Sequence, residues 1–214
     1  MKRAAKITCI FLDIGGVVLT DGWGSQARKL AAAHFRLAPA GMDARHHLIW
    51  DTHQAGKLTL DEYLDRVVFY ERRTFTKAQF RRFMFAQSHP YPQMLNLIAR
   101  LKVRHRLKIV VVSNEGRELN AFRIRKFKLR TLVDSFISSC FVHVLKPDTE
   151  IFRLALDISQ SLPQEVVYID DTPMFVQIAK GLGIRGVNHT DYGSTVAKLA
   201  SFGLHHDDGG QKEN

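Results

Sequence analysis

Four short apolar runs constrain this chain more than any other feature: ITCIFLD (7–13), LKIVVVS (107–113), SFISS (135–139) and EVVYID (165–170). Each has the length of a strand and lacks the alternation of a half-exposed one, so each is expected to be buried on both faces of a sheet. A fifth and weaker run is GIRGVNH (183–189). Helical patterns separate them: Met94, Leu95, Ile98 and Leu101; Phe152, Ala155 and Leu156 after Pro147; Val176, Ala179 and Lys180 after Pro173. Proline just inside a helix start is favourable, because its missing N–H would have had no partner there. Strand–helix alternation of this kind predicts an α/β protein, a parallel Rossmann-like sheet covered on both sides.

Residues 17–89 break the rhythm. They hold no convincing strand and several helices. QARKLAAAHF puts Ala27, Leu30, Ala31 and His34 on one face. Thr59-Leu-Asp-Glu62 and Thr76-Lys-Ala-Gln79 match the capping box, in which two side chains satisfy each other's orphan amides. The expected division is therefore a core of residues 1–16 and 90–203, a small all-helical cap of residues 17–89 inserted after the first strand, and a disordered polar tail, 204–214.

A chain of 214 residues suits one core with one insert. Cys9 and Cys140 are too few for a disulfide framework and are expected as buried thiols in a reducing compartment. The apolar part of the basic N-terminus ends at Asp13, too short for an export signal, and no run approaches the ~20 apolar residues of a membrane span. Cytoplasmic location and no membrane partner are the expectations. The net charge of +10 concentrates between residues 100 and 130, with eleven Lys/Arg against two Glu. LKVRHRLK and RIRKFKLR read as solvated helix faces. They lack interleaved aromatic residues and any nucleic-acid fold signature, so nucleic acid is not the expected partner.

Open α/β sheets bind ligands at the carboxyl edge of their strands. Here the first strand ends at Asp13, the second at Ser113-Asn114, and the fourth at Asp170-Asp171-Thr172, while the loop after the third carries Lys146-Pro147-Asp148. Carboxylates, a hydroxyl beside helix-start amides and a lysine together make a kit for handling a phosphoryl group with a divalent cation. In this order and strand context the four motifs resemble those of the haloacid dehalogenase superfamily of hydrolases, over residues 6–203. The position of the insert is similar to the helical cap many members carry between their first two motifs. FLDIGG resembles the branch with a Gly-Gly or Gly-Asn first motif, which includes sugar-phosphate phosphatases.

The resemblance implies a Mg²⁺-dependent phosphatase for a small phosphorylated metabolite, working through an aspartyl-phosphate on Asp13. It implies Mg²⁺ on Asp13, the Gly15 carbonyl and Asp171, phosphate held by Ser113 and the Asn114 amide, and Lys146 neutralising charge on phosphate and nucleophile. Asp170 is a partner for Lys146 or a further ligand. Two departures stand out. Phosphatases of the superfamily usually have a second aspartate two residues after the nucleophile, as acid and then base, where this chain has Gly15. The fourth motif commonly carries an acidic or amide residue where this chain has Phe175, which predicts a weaker metal site. His46, His47 and His53 are candidate proton sources, with Trp23 and Trp50 as lining. The alternatives are a degenerate member that binds a phosphorylated ligand and turns over little, and, further off, a metal-free dehalogenase. The oligomeric state is open.

Overall fold

The computed structural model describes residues 5–206. Of the expected tail, 204–214, Leu204 is instead buried in the core with its N–H donating to the Leu199 carbonyl, and the part from residue 207 onward lies outside the described residues. The strands are β1 (Cys9–Leu12), β2 (Lys108–Ser113), β3 (Ser135–Ser138), β4 (Val166–Asp170) and β5 (Arg185–Asn188), paired in parallel in the order β3-β2-β1-β4-β5. All five apolar runs are therefore strands, each somewhat shorter than its run. The pleat sends alternate residues to opposite faces. Ile10, Leu12, Ile109, Val111, Val167 and Ile169 meet Met94, Leu97, Ile98 and Leu101 of α5 (Pro92–His105) and Leu199 of α10 (Tyr192–Ser201). Cys9, Phe11, Val110, Val112, Val166 and Tyr168 meet Ile151, Phe152 and Ala155 of α8 (Glu150–Ser159) and Val176 and Ala179 of α9 (Pro173–Gly181). Between β2 and α8 run α6 (Arg117–Lys126) and the single-turn α7 (Ser139–Val142).

Order reverses around β1. The chain steps outward from β1 through β2 to β3, then crosses back to β4 on the other side of β1. The chain leaves β1 and β4 there toward opposite faces of the sheet, which opens a crevice, and Asp13 and the Asp170-Asp171 pair sit at its mouth.

Four helices occupy the stretch after β1: α1 (Ser25–Phe35), α2 (Pro39–Gln54), α3 (Leu60–Val67) and α4 (Lys77–Ala86). Both capping boxes form, Thr59 with Glu62 and Thr76 with Gln79. These helices pack a separate apolar cluster around Trp23, Tyr63, Leu64, Phe80 and Met84, into which α6 contributes Leu119. One expectation needs correcting. The buried face of α1 is Ala27, Arg28, Ala31 and Ala32, and Leu30 is half exposed. Arg28 turns inward because its guanidinium donates to Asp43 and to the Trp23 carbonyl, a stronger draw than an unpaired leucine.

The connections into and out of this segment run side by side. Thr20 N–H donates to the His89 carbonyl at 2.8 Å, Tyr91 N–H to the Val18 carbonyl at 2.9 Å, and the Thr20 hydroxyl to the Gln87 carbonyl at 2.7 Å.

Candidate active site

Lys146 is the centre of the charged cluster. Its ammonium, 3% exposed, lies 2.6 Å from Asp170 Oδ2, 3.0 Å from Asp13 Oδ1 and 3.1 Å from the Tyr168 hydroxyl. Burial lowers its pKa, but the two carboxylates outweigh that and hold it above the usual lysine value. The backbone at Lys146 is fixed from across the sheet edge: its N–H donates to Asn114 Oδ1 at 2.9 Å and its carbonyl accepts from Asn114 Nδ2 at 2.8 Å. The Asn114 side chain thus ties the loop after β3 to the end of β2, a role the sequence did not signal.

Asp170 is fully buried and fully engaged. Oδ2 takes Lys146 and the Tyr168 hydroxyl, and Oδ1 accepts the Thr172 N–H at 2.7 Å. Of the two readings, the geometry makes it the partner of Lys146. Asp171 points outward, against the loop after β1. A Cβ on Gly16 would come 2.0 Å from Asp171 Oδ2, and Gly16 has φ +73°, so only glycine lets this carboxylate approach.

One oxygen each from Asp13, Asp170 and Asp171 lie within 4.8 Å of one another. Opposite ligands of an octahedral Mg²⁺ are roughly 4.2 Å apart, so this spacing is on the scale at which Asp13 and Asp171 could each give an oxygen to one ion. Burial lifts the Asp13 carboxyl well above the usual aspartate value, to about 7, against the pull of Lys146 and of the Ser113 hydroxyl bonded to it. Burial, then Asp170 and Asp21, likewise raises Asp171. A cation placed among these carboxylates would relieve their mutual repulsion.

A cavity of about 570 Å³ opens over these groups and is roofed by the helical segment, with Trp23, Trp50, His47 and Gln54 facing Asp13 and Lys146. Gln54 Nε2 donates to the Asn114 carbonyl at 3.0 Å, a direct tie between roof and floor. The candidate histidines divide. Burial and the nearby Arg28 cation push His46 down to about 3, and its Nδ1 lies 2.8 Å from the Tyr63 hydroxyl. His53 is also lowered by burial, and its Nδ1 lies 3.0 Å from the Leu58 carbonyl. Both are neutral packing groups near pH 7, which corrects the expectation of a proton source there. His47 is exposed and faces Asp43 at 3.7 Å.

Two neighbours, Tyr168 and Asp21, escaped the sequence reading, and a third, Phe175, figures there only as the loss of a polar residue. Tyr168 is an apolar-face residue of β4 whose hydroxyl reaches the charged cluster. Phe175 replaces a polar residue of the resembled pattern and sets its ring centroid 4.9 Å from the Lys146 ammonium, a cation–π contact. Asp21 lies in the loop before α1, with Oδ1 3.6 Å from where a Cβ on Gly15 would stand. The only sequence signal for it was the turn-forming Asp21-Gly22 pair.

The model of one family, haloacid dehalogenase-like hydrolase, matches residues 7–183. The chain belongs to the haloacid dehalogenase-like hydrolases. It is therefore a hydrolase by family, and the parallel sheet with surrounding helices is that family's fold. Among solved structures, a haloacid dehalogenase-like hydrolase of Porphyromonas gingivalis has TM-score 0.72 at 18% identity, covering 92% of this chain and 98% of its own. A family enzyme of Bacteroides thetaiotaomicron, in complex with magnesium and inorganic phosphate, has TM-score 0.69 at 20% identity, covering 85% and 93%. The L-2-haloacid dehalogenase of Xanthobacter autotrophicus has TM-score 0.60 at 16% identity, covering 84% and 76%. At such identities the likeness concerns fold alone. Bifunctional epoxide hydrolase 2 of Sus scrofa is 33% identical over 72 residues, 34% of this chain and only 13% of that relative's length. Among the described residues no helix is long and apolar enough to cross a membrane.

Proposed function

We propose that this hydrolase is a Mg²⁺-dependent phosphatase for a small phosphorylated metabolite, and that residues 17–89 act as its helical cap over a core of 1–16 and 90–203. The observation that carries the reading is the meeting of Asp13, Lys146, Asp170 and Asp171 at the crevice between β1 and β4. The Bacteroides relative with magnesium and phosphate adds support. The two buried free thiols suit a reducing cytoplasm.

In this reading Asp13 attacks phosphorus and becomes an aspartyl-phosphate, which water then hydrolyses. Lys146 neutralises charge on the nucleophile and on a phosphoryl oxygen, with Asp170 and Phe175 holding it in place. Ser113 and the Asn114 amide take the remaining phosphoryl oxygens. Asp13, Asp171 and the Gly15 carbonyl would hold Mg²⁺, which when bound lets an anionic nucleophile meet an anionic ester. With no side chain on Gly15, the reading assigns proton exchange with the leaving oxygen, and then with the attacking water, to Asp21, whose Oδ1 lies 3.6 Å from the Cβ position there. Trp50, His47 and Gln54 face the alcohol portion of the substrate and set selectivity.

The test is phosphate release from a metabolite panel with and without Mg²⁺, run beside Asp13→Asn. Release that needs both Mg²⁺ and Asp13 supports the reading, and no release from any ester removes it. A second reading, a member that binds a phosphorylated ligand and turns over little, is favoured by Gly15 and Phe175. Calorimetry with Mg²⁺ and beryllofluoride separates the two, since tight binding without turnover selects the second. Carbon–halogen cleavage untouched by EDTA would point instead to dehalogenation.

A further inference from the structure

The RIRK stretch, read from sequence as a solvated face, contains the most deeply buried cation outside the charged cluster. Arg123 of α6 is 1% exposed. Nη1 pairs with Glu115, a buried residue lining the cavity, Nε donates to the Ser88 hydroxyl at 3.1 Å, and Nη2 donates to the Thr20 carbonyl at 3.0 Å. Thr20 and Ser88 belong to the two connections that lead into and out of the helical segment. One guanidinium from the core thus grips both connections and a wall of the site.

The same group shapes the turn that carries Asp21. A Cβ on Gly22, which has φ +69°, would come 1.8 Å from Arg123 Nη2, so the turn lies directly on the guanidinium. A Cβ on Gly24 would come 1.8 Å from Asp21 Oδ2, so the carboxylate folds back over its own loop. Arg123 Nη1 and Asp21 Oδ1 stand 4.0 and 3.6 Å from the Cβ position at Gly15. Burial raises the Glu115 carboxyl and Arg123 opposes that rise, so the pair is anchored as a unit. Arginine suits this place because its rigid planar guanidinium spreads its donors over three nitrogens, one each for Glu115, Ser88 and Thr20, whereas an ammonium offers all of its donors from a single atom.

We infer that Arg123 is a positioning residue: by holding Thr20 and Gly22 it sets the Asp21 carboxylate at the place where this chain has no side chain on residue 15. The inference rests on the phosphatase reading and specifies how the proton donor is kept in register with Asp13. Glu115 supplies the counter-charge that lets the arginine stay buried.

The experiment measures kcat and KM, with saturating Mg²⁺, for p-nitrophenyl phosphate and for an alkyl phosphate. The first has a leaving group that needs little protonation and the second needs it fully. Asp21→Asn, Arg123→Lys and the double variant are compared with the parent chain. Arg123→Lys is expected to lower kcat on the alkyl ester about tenfold or more, to change the aryl ester and both KM values only a few-fold, and to add nothing in the Asp21→Asn background. Equal losses on both esters, or a full further loss in the double variant, would make Arg123 merely structural and overturn the inference. Should Arg123→Lys fail to fold, Gly22→Ala displaces the guanidinium from the loop side and must give the same ester-dependent loss. An unchanged leaving-group dependence in Gly22→Ala overturns the inference as well. A parent chain that cleaves neither ester fails the phosphatase reading and takes the inference with it. An active parent with an indifferent Arg123 variant sinks the inference alone.

Discussion

The sheet's carboxyl edge and the helical roof above it put their chemistry in place by different means. At the edge, every polar group except Lys146, which the Asn114 side chain holds on the loop beyond α7, follows directly from a strand: Asp13 one residue after β1, Ser113 and Asp170 as last residues of β2 and β4, Asp171 immediately after. Strand direction and pleat alone decide where these side chains emerge. In the roof, position depends on helix-on-helix packing. Trp23 Nε1 donates to the Tyr63 hydroxyl at 2.9 Å and the His53 ring stacks on Tyr63 with centroids 4.9 Å apart, so residues that looked catalytic are spent on holding the bundle together. Polarity in the sequence marks function reliably only where the backbone leaves a side chain no other task.

The largest expected effects lie at the edge. Asp13→Asn should remove turnover of p-nitrophenyl phosphate by at least about 10³-fold, since a nucleophile has no substitute in a covalent route. Lys146→Met should cost activity on a similar scale and, by leaving Asp13 and Asp170 without their cation, about 3–5 kcal/mol of stability, read by urea denaturation. Equal thermal stability in that variant would mean the buried carboxylates are protonated without it.

A second stability effect runs the opposite way. In EDTA, the folded chain holds a proton on Asp13 up to about pH 7, whereas the unfolded chain releases it near the ordinary value of 3.8. The folded state then binds more protons between those values, so stability from this group is greatest at low pH and falls as pH rises through the window. Asp13→Asn should therefore be more stable than the parent at pH 8, by roughly 4 kcal/mol, and nearly equal to it at pH 4, as followed by thermal melts.

Gly15→Asp sharpens the comparison from the other side. An added Cβ there would meet nothing nearer than 3.6 Å. Its carboxylate would displace Asp21 from that place and, attached two residues after the nucleophile, should raise kcat on alkyl phosphates about 10-fold or more while leaving aryl esters little changed. In the roof, Gln54→Ala removes one tie to Asn114 and should raise KM only a few-fold, with kcat nearly kept.

How much was legible follows the same line. The strands, the helix starts at Thr59 and Thr76 and the convergence of four motif residues could be read, because periodicity and capping are local. Asp21 and Arg123 could not. Arg123 matters through contacts distant in sequence, such as that with Thr20, and nothing in its pattern distinguishes a buried cation from a surface one; Asp21 matters through the turn that lies on this arginine. The same holds for Leu30, exposed because Arg28 took the inward place.

The most direct measurement is the anomalous signal of Mn²⁺ soaked with orthophosphate into crystals of the intact chain. The account predicts one ion bonded to carboxylate oxygens of both Asp13 and Asp171, with the phosphate between that ion and the Lys146 ammonium. An ion bound elsewhere, or phosphate seated away from Lys146, would contradict it.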